Sequence, residues 1–363
     1  MKLQVTQENL AKALGIVGRV ANTRGTLPIL SNIALRTVDN RLSIEATNLD
    51  IAITQAIGSK VETMGAITVP ARLMQDFISS LPGGVISLEL DEHRLKITTD
   101  KYQSVINGTS FEEFPVMPAI AKGTSWTMVA QKMKQALSQV LIAASSDEAR
   151  PTLTGVYLHV IDGKLYAVAT DSYRLAEREL TASKSDLSLL VPASAIHELI
   201  RVIGDSQDEI EITSDEQQVL FQTGDIKLVT RLIEGKYPDY RKLIPQKFET
   251  VATVNRSDFI NITKVSSLFA RESAGSITIT ADADKGEISI RSIASQLGEN
   301  TSTATATISG GGDITLNSRY LLDALQAMNG EEVEFCFNGK LEPSELKDPK
   351  NKEYIHIIMP LKS

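Results

Sequence analysis

A run of unlike landmarks returns along this chain at a nearly constant offset of about 123 residues. Val69-Pro70-Ala71 opens one helical pattern, Val191-Pro192-Ala193 opens a second 122 residues on, and Leu316-Asn317-Ser318 a third after another 125. Ala46-Thr47 recurs as Ala169-Thr170, and Leu27-Pro28 faces Arg150-Pro151, both 123 apart. Phe114-Pro115 returns as Tyr237-Pro238 after 123 residues and as Met359-Pro360 after another 122. One spacing shared by several unrelated landmarks indicates a unit copied twice and then diverged. Three units of about 120 residues account for all 363, each of ordinary domain size with its own core. Boundaries are expected at 1–120, 121–248 and 249–363, with exposed joints over 111–124 and 244–250.

Within each unit the hydrophobic period changes twice. Helices are predicted over 6–20, 71–80, 129–144, 193–203, 256–270 and 318–329. The first helix of each copy lines one face with Leu10, Leu14 and Val17, with Met133, Leu137 and Val140, or with Phe259, Ile262 and Val265. Leu73 with Phe77, Ile196 with Ile200, and Leu321 with Leu325 are the expected buried stripes of the second helices, which start at Pro-Ala or at a capping Asn317 or Ser318. Between and after the helices, apolar and polar residues alternate. Hairpins are expected at 33–35 with 42–46, 156–160 with 165–169, and 276–280 with 287–291, turning at Asp39-Asn40, Asp162-Gly163 and Asp284-Lys285-Gly286. Further pairs are expected at 85–90 with 95–99, 209–213 with 219–223, and 333–337 with 354–358. The fold class is therefore α+β: three repeats, each of two helices packed on antiparallel sheet.

Composition narrows the setting. The 42% hydrophobic and 23% charged content and a mean hydropathy of −0.05 are those of a globular chain, with no apolar run of the ~20 residues a membrane span needs. Lys2, Gln4, Gln7, Glu8 and Lys12 interrupt the N-terminal apolar positions, so no leader core forms and a cytosolic location is expected. The single cysteine, Cys336, sits in the alternation Val333, Phe335, Phe337 and reads as a reduced, at least half-buried thiol. The net charge of −8 is unevenly spread. The six predicted helices hold nine basic residues (Lys12, Arg19, Arg72, Lys132, Lys134, Arg201, Arg256, Lys264, Arg319) against five acids (Glu8, Asp76, Glu198, Asp258, Asp323). Helices at +4 in a chain otherwise at −12 suit one surface turned to a polyanion.

Four strings then carry a resemblance: 168–176 (VATDSYRLA), Tyr237-Pro238-Asp239-Tyr240-Arg241, Thr26-Leu27-Pro28-Ile29-Leu30, and Ile358-Met359-Pro360. In order and spacing the chain resembles, over its whole length, the bacterial DNA polymerase III beta subunit family of sliding clamps. That resemblance implies a head-to-tail homodimer whose six similar parts make a ring, helices lining the hole around double-stranded DNA without reading its sequence. It implies a non-catalytic processivity factor with no cofactor. It also implies short-motif partners: the polymerase III alpha subunit, the clamp loader, other polymerases and mismatch-repair proteins. Arg24 and Arg72 match family DNA contacts, and the role extends to Lys12, Lys132, Arg201 and Lys264. The partner-peptide pocket would comprise Leu153, Thr170, Ser172, Tyr173, Arg174, Leu175, Pro238, Lys242, Leu243, Ile357, Ile358, Met359, Pro360 and Leu361, with Asn317 and Tyr320 nearby. Each apolar member also fits ordinary core. The chain departs from the family at Ser145 to Thr152, which lacks an aromatic pair, at Ala193-Ser194 in place of basic residues, at Ser172-Tyr173 in place of Gly-His, and at the terminal Ser363. Ring closure would use segments 96–105 and 269–297.

No reaction site assembles from the sequence. His93, His159, His197 and His356 lack metal-type spacing, and no phosphate-cradling glycine loop with its lysine occurs. Gly310-Gly311-Gly312 reads as a hairpin, Asp282 to Glu287 as a polar turn rather than a calcium loop, and the acids from Asp205 to Glu216 as a solvated edge. A repeat-built enzyme or a carbohydrate-type binder is the competing reading. It requires a concave polar site.

Overall fold

In each third of the chain a strand runs directly into a helix, and the rest follows the hydrophobic period. The computed structural model describes residues 1–21, 27–115, 120, 123–183, 186–205, 208–296 and 298–361. The first repeat runs β1 (Lys2–Thr6), α1 (Gln7–Val17), β2 (Asn32–Val38), β3 (Arg41–Thr47), β4 (Ile51–Gly58), β5 (Lys60–Thr63), β6 (Ala66–Pro70), α2 (Ala71–Ser80), β7 (Val85–Asp91), β8 (Arg94–Thr98) and β9 (Gln103–Asn107). The second runs β10 (Thr124–Val129), α3 (Ala130–Leu141), β11 (Gly155–Ile161), β12 (Lys164–Thr170), β13 (Arg174–Ala182), β14 (Ser188–Pro192), α4 (Ala193–Ile203), β15 (Glu209–Ser214), β16 (Gln218–Thr223) and β17 (Ile226–Arg231). The third runs β18 (Thr250–Asn255), α5 (Arg256–Phe269), β19 (Ser276–Asp282), β20 (Glu287–Ala294), β21 (Gly298–Ser309), β22 (Gly312–Asn317), α6 (Ser318–Ala327), β23 (Glu332–Phe337), β24 (Ser344–Lys347) and β25 (Tyr354–Ile358).

All six predicted helices form, shorter by a few residues at some ends, and the turn chemistry holds. Asp39 (φ 48°) with Asn40 (φ 60°), and Asp162 (φ 50°) with Gly163 (φ 74°), put positive φ at both turn positions, the geometry that matches strand twist in a tight hairpin. In the third copy, the Asp282 carboxylate accepts from the Lys285 backbone at 3.1 Å and pairs with Lys285 Nζ at 2.9 Å. Asn317 caps α6 by accepting from the Arg319 and Tyr320 amides. Cys336 is fully buried, which pushes its thiol up to about 12.

Four expectations need correction. The buried stripe of α2 is Ala71, Met74 and Ile78, while Leu73 is exposed and Phe77 half-buried. The core side of α5 is Phe259, Thr263 and Ser266, with Val265 exposed and Ile262 half-buried. The polar pair is tolerated because Thr263 Oγ1 donates to the Phe259 carbonyl at 2.7 Å and Ser266 Oγ to Asn300 at 3.0 Å. Finally, β23 does not pair with β25; β24 lies between them. Ile200 of α4 is likewise only half-buried, with Leu199 taking the core position.

The chain divides into two compact units. One comprises Met1–Lys132 with His197–Leu232 and the other Met133–Ile196 with Ile233–Ser363, so the central repeat is shared between them. The first unit holds a five-stranded sheet, β5-β1-β7-β8-β9, and an eight-stranded one, β10-β15-β16-β17-β4-β3-β2-β6. The second holds a twelve-stranded sheet, β14-β11-β12-β13-β25-β24-β23-β18-β21-β20-β19-β22. Each unit thus contains one joint between repeats made by an antiparallel strand pair. In the first, β17 meets β4 with Thr230 opposite Ile51; in the second, β25 meets β13 with Ile358 opposite Arg174. Ile51 and Arg174 are 123 residues apart, so both joints share one register.

Candidate functional site

The second unit assembles most of the expected pocket around the turn between β12 and β13. Asp171 Oδ1 accepts from the amides of Tyr173 (2.9 Å) and Arg174 (3.0 Å), and Thr170 Oγ1 donates to the Arg174 carbonyl at 2.6 Å, which fixes the turn from inside. Ser172 sits at φ +78°, a left-handed conformation that glycine adopts more cheaply. Its hydroxyl accepts from Arg150 Nη1 at 2.9 Å, and Arg150 Nε in turn donates to Asp147 at 2.9 Å. Tyr173 is thereby presented to solvent, 58% exposed.

The chain's last strand lies beside this turn. Met359 donates its amide to the Tyr173 carbonyl and Leu361 to the Thr315 carbonyl, each at 2.8 Å. Met359, Pro360 and Leu361 are half-buried, leaving apolar surface open. Leu175 and Ile357 are covered and join Val168, Leu190, Tyr237 and Tyr240 in one cluster, and Ile358 and Leu153 are buried as well. These four therefore support the site from beneath rather than lining it. Pro238 and Leu243 are exposed, and Lys242 is held by Asp239 at 2.7 Å on the surface. The segment carrying them is anchored by Tyr237 and Tyr240.

That anchor is a polar aromatic cluster. Tyr157 stacks on Tyr237 at 4.8 Å and on His159 at 4.4 Å, and Arg241 lies over Tyr166 at 4.6 Å. Tyr240 donates its one hydroxyl proton to Glu177, which leaves His159 Nε2 as donor to the Tyr240 oxygen at 3.0 Å. Burial, and secondarily the charge of Arg241, lowers His159 to about 4, so it is neutral at ordinary pH. Arg241 pairs with Glu177 at 3.2 Å and balances the buried carboxylate.

The sequence did not single out Arg150, Asp171 or Asp323. Asp171 has a local signal, an Asp two and three residues before amides it can cap. Asp323 has none, since its partner Arg174 is 149 residues away.

The expected DNA contacts lie on exposed helix faces. Lys12, Arg72, Lys132 and Arg201 belong to the first unit and Lys264 to the second, all exposed; Arg24 lies outside the described residues. Arg201 pairs with Glu198 at 2.5 Å and Arg72 sits 3.9 Å from Asp76. Arg256 does not belong to this set. Its Nε donates to the Gly330 carbonyl at 2.7 Å and its Nη1 to Leu325 at 3.3 Å, a structural staple. Short neutral residues surround the exposed cations, among them Gln135 and Ser138 on α3, Ser194 and His197 on α4, and Ser257 and Asn261 on α5, while the acids Glu8, Asp76 and Asp258 are exposed on α1, α2 and α5. Sparse cations among amides and hydroxyls attract a phosphate backbone without gripping any base edge. No helix among the described residues is long and apolar enough to cross a membrane.

Comparison with known proteins gives a consistent answer. Family models for the N-terminal, central and C-terminal domains of the DNA polymerase III beta subunit match residues 1–118, 127–239 and 241–362. The beta sliding clamp of Staphylococcus epidermidis is 29% identical over 376 residues, and that of Bacillus subtilis strain 168 is 28% identical over 380, each alignment covering 100% of both chains. Among solved structures, the Bacillus subtilis DNA polymerase sliding clamp superposes with a TM-score of 0.95 at 28% identity, covering 100% of this chain and 99% of that one. The DNA polymerase III subunit beta of Bartonella birtlesii, solved bound to griselimycin, gives 0.95 at 28% with full coverage of both.

Proposed function

Since this chain belongs to the DNA polymerase III beta subunit family, the non-catalytic sliding clamps that give that polymerase its processivity, we propose that two copies close head to tail around duplex DNA. The observation that carries this reading is the repeated joint. An outer strand of the second repeat pairs with the first (β17 on β4), and the matching strand of the third pairs with the second (β25 on β13). The third joint of the series would join β9 to the early part of β21. Among the described residues β9 has only β8 beside it, and residues 298–305 of β21 have only β20. This open edge starts just past the 269–297 stretch expected to close the ring.

The register of that joint follows by carrying the pairing across. The β16–β17 and β8–β9 hairpins share a register, which makes Ile106 the counterpart of Thr230; β12–β13 and β20–β21 make Gly298 the counterpart of Arg174. Ile106 of one copy thus opposes Gly298 of the other, and Val105 opposes Glu299. The repeats that carry these two edges also expose apolar residues: Leu73, Tyr102 and Val105 in the first, Val265, Leu268 and Ile293 in the third. These include the residues of α2 and α5 that turn away from their own cores.

The test is a cysteine pair. Directly opposed antiparallel residues have Cα atoms about 4.5–5.5 Å apart, within disulfide reach. Val105→Cys with Glu299→Cys should oxidise to a covalent dimer, while Val105→Cys with Thr303→Cys, displaced by roughly 13 Å, should not. A single-chain mass in solution, or equal cross-linking of both pairs, refutes the joint. The oxidised ring, placed by the clamp loader, should stay on nicked circular duplex and run off linear ends.

On this reading the repeats span 1–120, 121–248 and 249–363, and the protein works in the cytoplasm. Lys12, Arg24, Arg72, Lys132, Arg201 and Lys264 face the DNA. The turn at 170–174, the tail at 359–361 and the flanking Pro238, Lys242, Leu243, Asn317 and Tyr320 receive short motifs of the polymerase alpha subunit, clamp loader, other polymerases and mismatch-repair proteins, with Leu153, Leu175, Ile357 and Ile358 as the buried floor beneath them. Half-buried Met359 and Leu361 give such a groove adaptable apolar walls. Tethering raises the local concentration of polymerase at the primer end.

A further inference from the structure

Arg174 lies in the expected pocket, yet its guanidinium is engaged by groups of the protein itself. Its Nε donates to Asp171 Oδ2 at 3.1 Å, its Nη1 donates to Asp323 Oδ2 at 2.6 Å, and its guanidinium lies over the Tyr320 ring at 4.5 Å. The side chain is only 10% exposed. Asp171 builds the turn that presents Ser172 and Tyr173, whereas Tyr320 and Asp323 stand three residues apart on α6 of the last repeat. One guanidinium therefore ties a turn of the central repeat to a helix of the third.

The tail is strung across the same two elements. Met359 is bonded to the Tyr173 carbonyl on the turn, and Leu361 to the Thr315 carbonyl on β22, the strand that leads straight into α6. The tail and Arg174 therefore bridge the same two parts of the fold, the 171–173 turn and the continuous β22–α6 segment. A planar fork with two acids and a ring beneath it holds the two together more firmly than a lysine or a neutral side chain would.

We infer that Asp323 is a positioning residue of the peptide pocket: by holding Arg174 it fixes the separation between the 171–173 turn and α6 across which residues 359–361 lie, without touching the peptide. The inference rests on the pocket assignment proposed above. Asp323 also lines the cleft between α3 and α6 with Gln135, Gln139 and Gln326. Its carboxylate is thus the link between that cleft and the pocket.

The test measures binding of a fluorescein-labelled peptide from the C-terminal tail of the polymerase III alpha subunit, and of griselimycin, to the intact dimer. Asp323→Asn should weaken both about tenfold, through faster dissociation, with the dimer preserved. Asp323→Glu should recover part of the loss. In an Arg174→Met background, Asp323→Asn should add nothing, because the pair acts as one unit. Asp171→Asn, which frees the other arm of the fork, gives a second measure if Asp323→Asn does not fold. Wild-type affinity in Asp323→Asn, or full additivity with Arg174→Met, overturns the inference. If the wild-type chain binds neither probe, the pocket assignment falls first and this inference with it.

Discussion

Acid should loosen the strand that carries the tail, and His356 sets the pH range in which it does so. His356 is fully buried in β25. Tyr354 donates its hydroxyl proton to the Gln139 carbonyl at 3.2 Å, so the His356 Nδ1 at 2.9 Å carries the ring proton and donates to the Tyr354 oxygen, leaving Nε2 without a partner among the described residues. Burial, and then the nearby Arg174 charge, lowers its pKa from 6.5 to about 3. The unfolded chain takes up this proton near pH 6.5 and the folded chain not until about 3, so between them the unfolded state binds more protons. Stability is complete above that window and falls as the pH falls, by about 1.4 kcal/mol per unit, hence about 3 kcal/mol by pH 4.5 and about 5 kcal/mol by pH 3. His356→Asn keeps a donor near Nδ1 and removes the titration. Urea unfolding followed by circular dichroism at pH 7, 6, 5 and 4.5 should show the variant less stable than wild type at pH 7, with the difference shifting by about 3 kcal/mol in its favour by pH 4.5. Groups common to both proteins, including His159, cancel in the comparison. A wild-type-minus-variant difference that stays constant with pH would refute the reasoning.

Three further outcomes are expected. Deleting residues 359–363 should leave the dimer intact and abolish binding of the polymerase tail peptide; unchanged affinity by calorimetry counts against the pocket. Lys132→Ala and Lys264→Ala should each lower the slope of log K against log salt for duplex binding by roughly 0.9 if the lysine neutralises a phosphate, and an unchanged slope removes that residue from the DNA face. Gly310→Ala should destabilise the third repeat in thermal melts, because Gly310 stands at φ +85° and an added Cβ would overlap the Glu249 carbonyl oxygen; a melting point equal to wild type would show that the backbone yields there.

Helix and hairpin positions were legible because each repeat changes hydrophobic period sharply and its turns carry Asp, Asn and Gly where positive φ is needed. Two helix faces were misread for a physical reason. On α2 and α5 the periodicity of Leu73 with Phe77 and of Ile262 with Val265 marks a second apolar stripe, one that its own core leaves uncovered. On α5 the core side is partly Thr263 and Ser266, whose hydroxyls are satisfied locally and so leave no hydrophobic signal. The strand β24 was missed because it lies in a polar stretch, and its presence separates two strands that look like hairpin partners. Within the pocket, the 170–175 turn could be read from its Asp and Thr, whereas the Arg174–Asp323 link joins residues with nothing local in common. The basic count included Arg256 because composition cannot tell a cation facing solvent from one bonded to two carbonyls.

The two joints inside the chain are built from backbone hydrogen bonds within continuous eight- and twelve-stranded sheets, and each is also spanned by the polypeptide itself. Prying either apart would rupture a sheet while the covalent connection kept its halves close enough to re-pair at once. A junction between separate molecules has no such leash. In the ring proposed above, any machine that admits DNA would therefore find its gate where one polypeptide stops and the next begins.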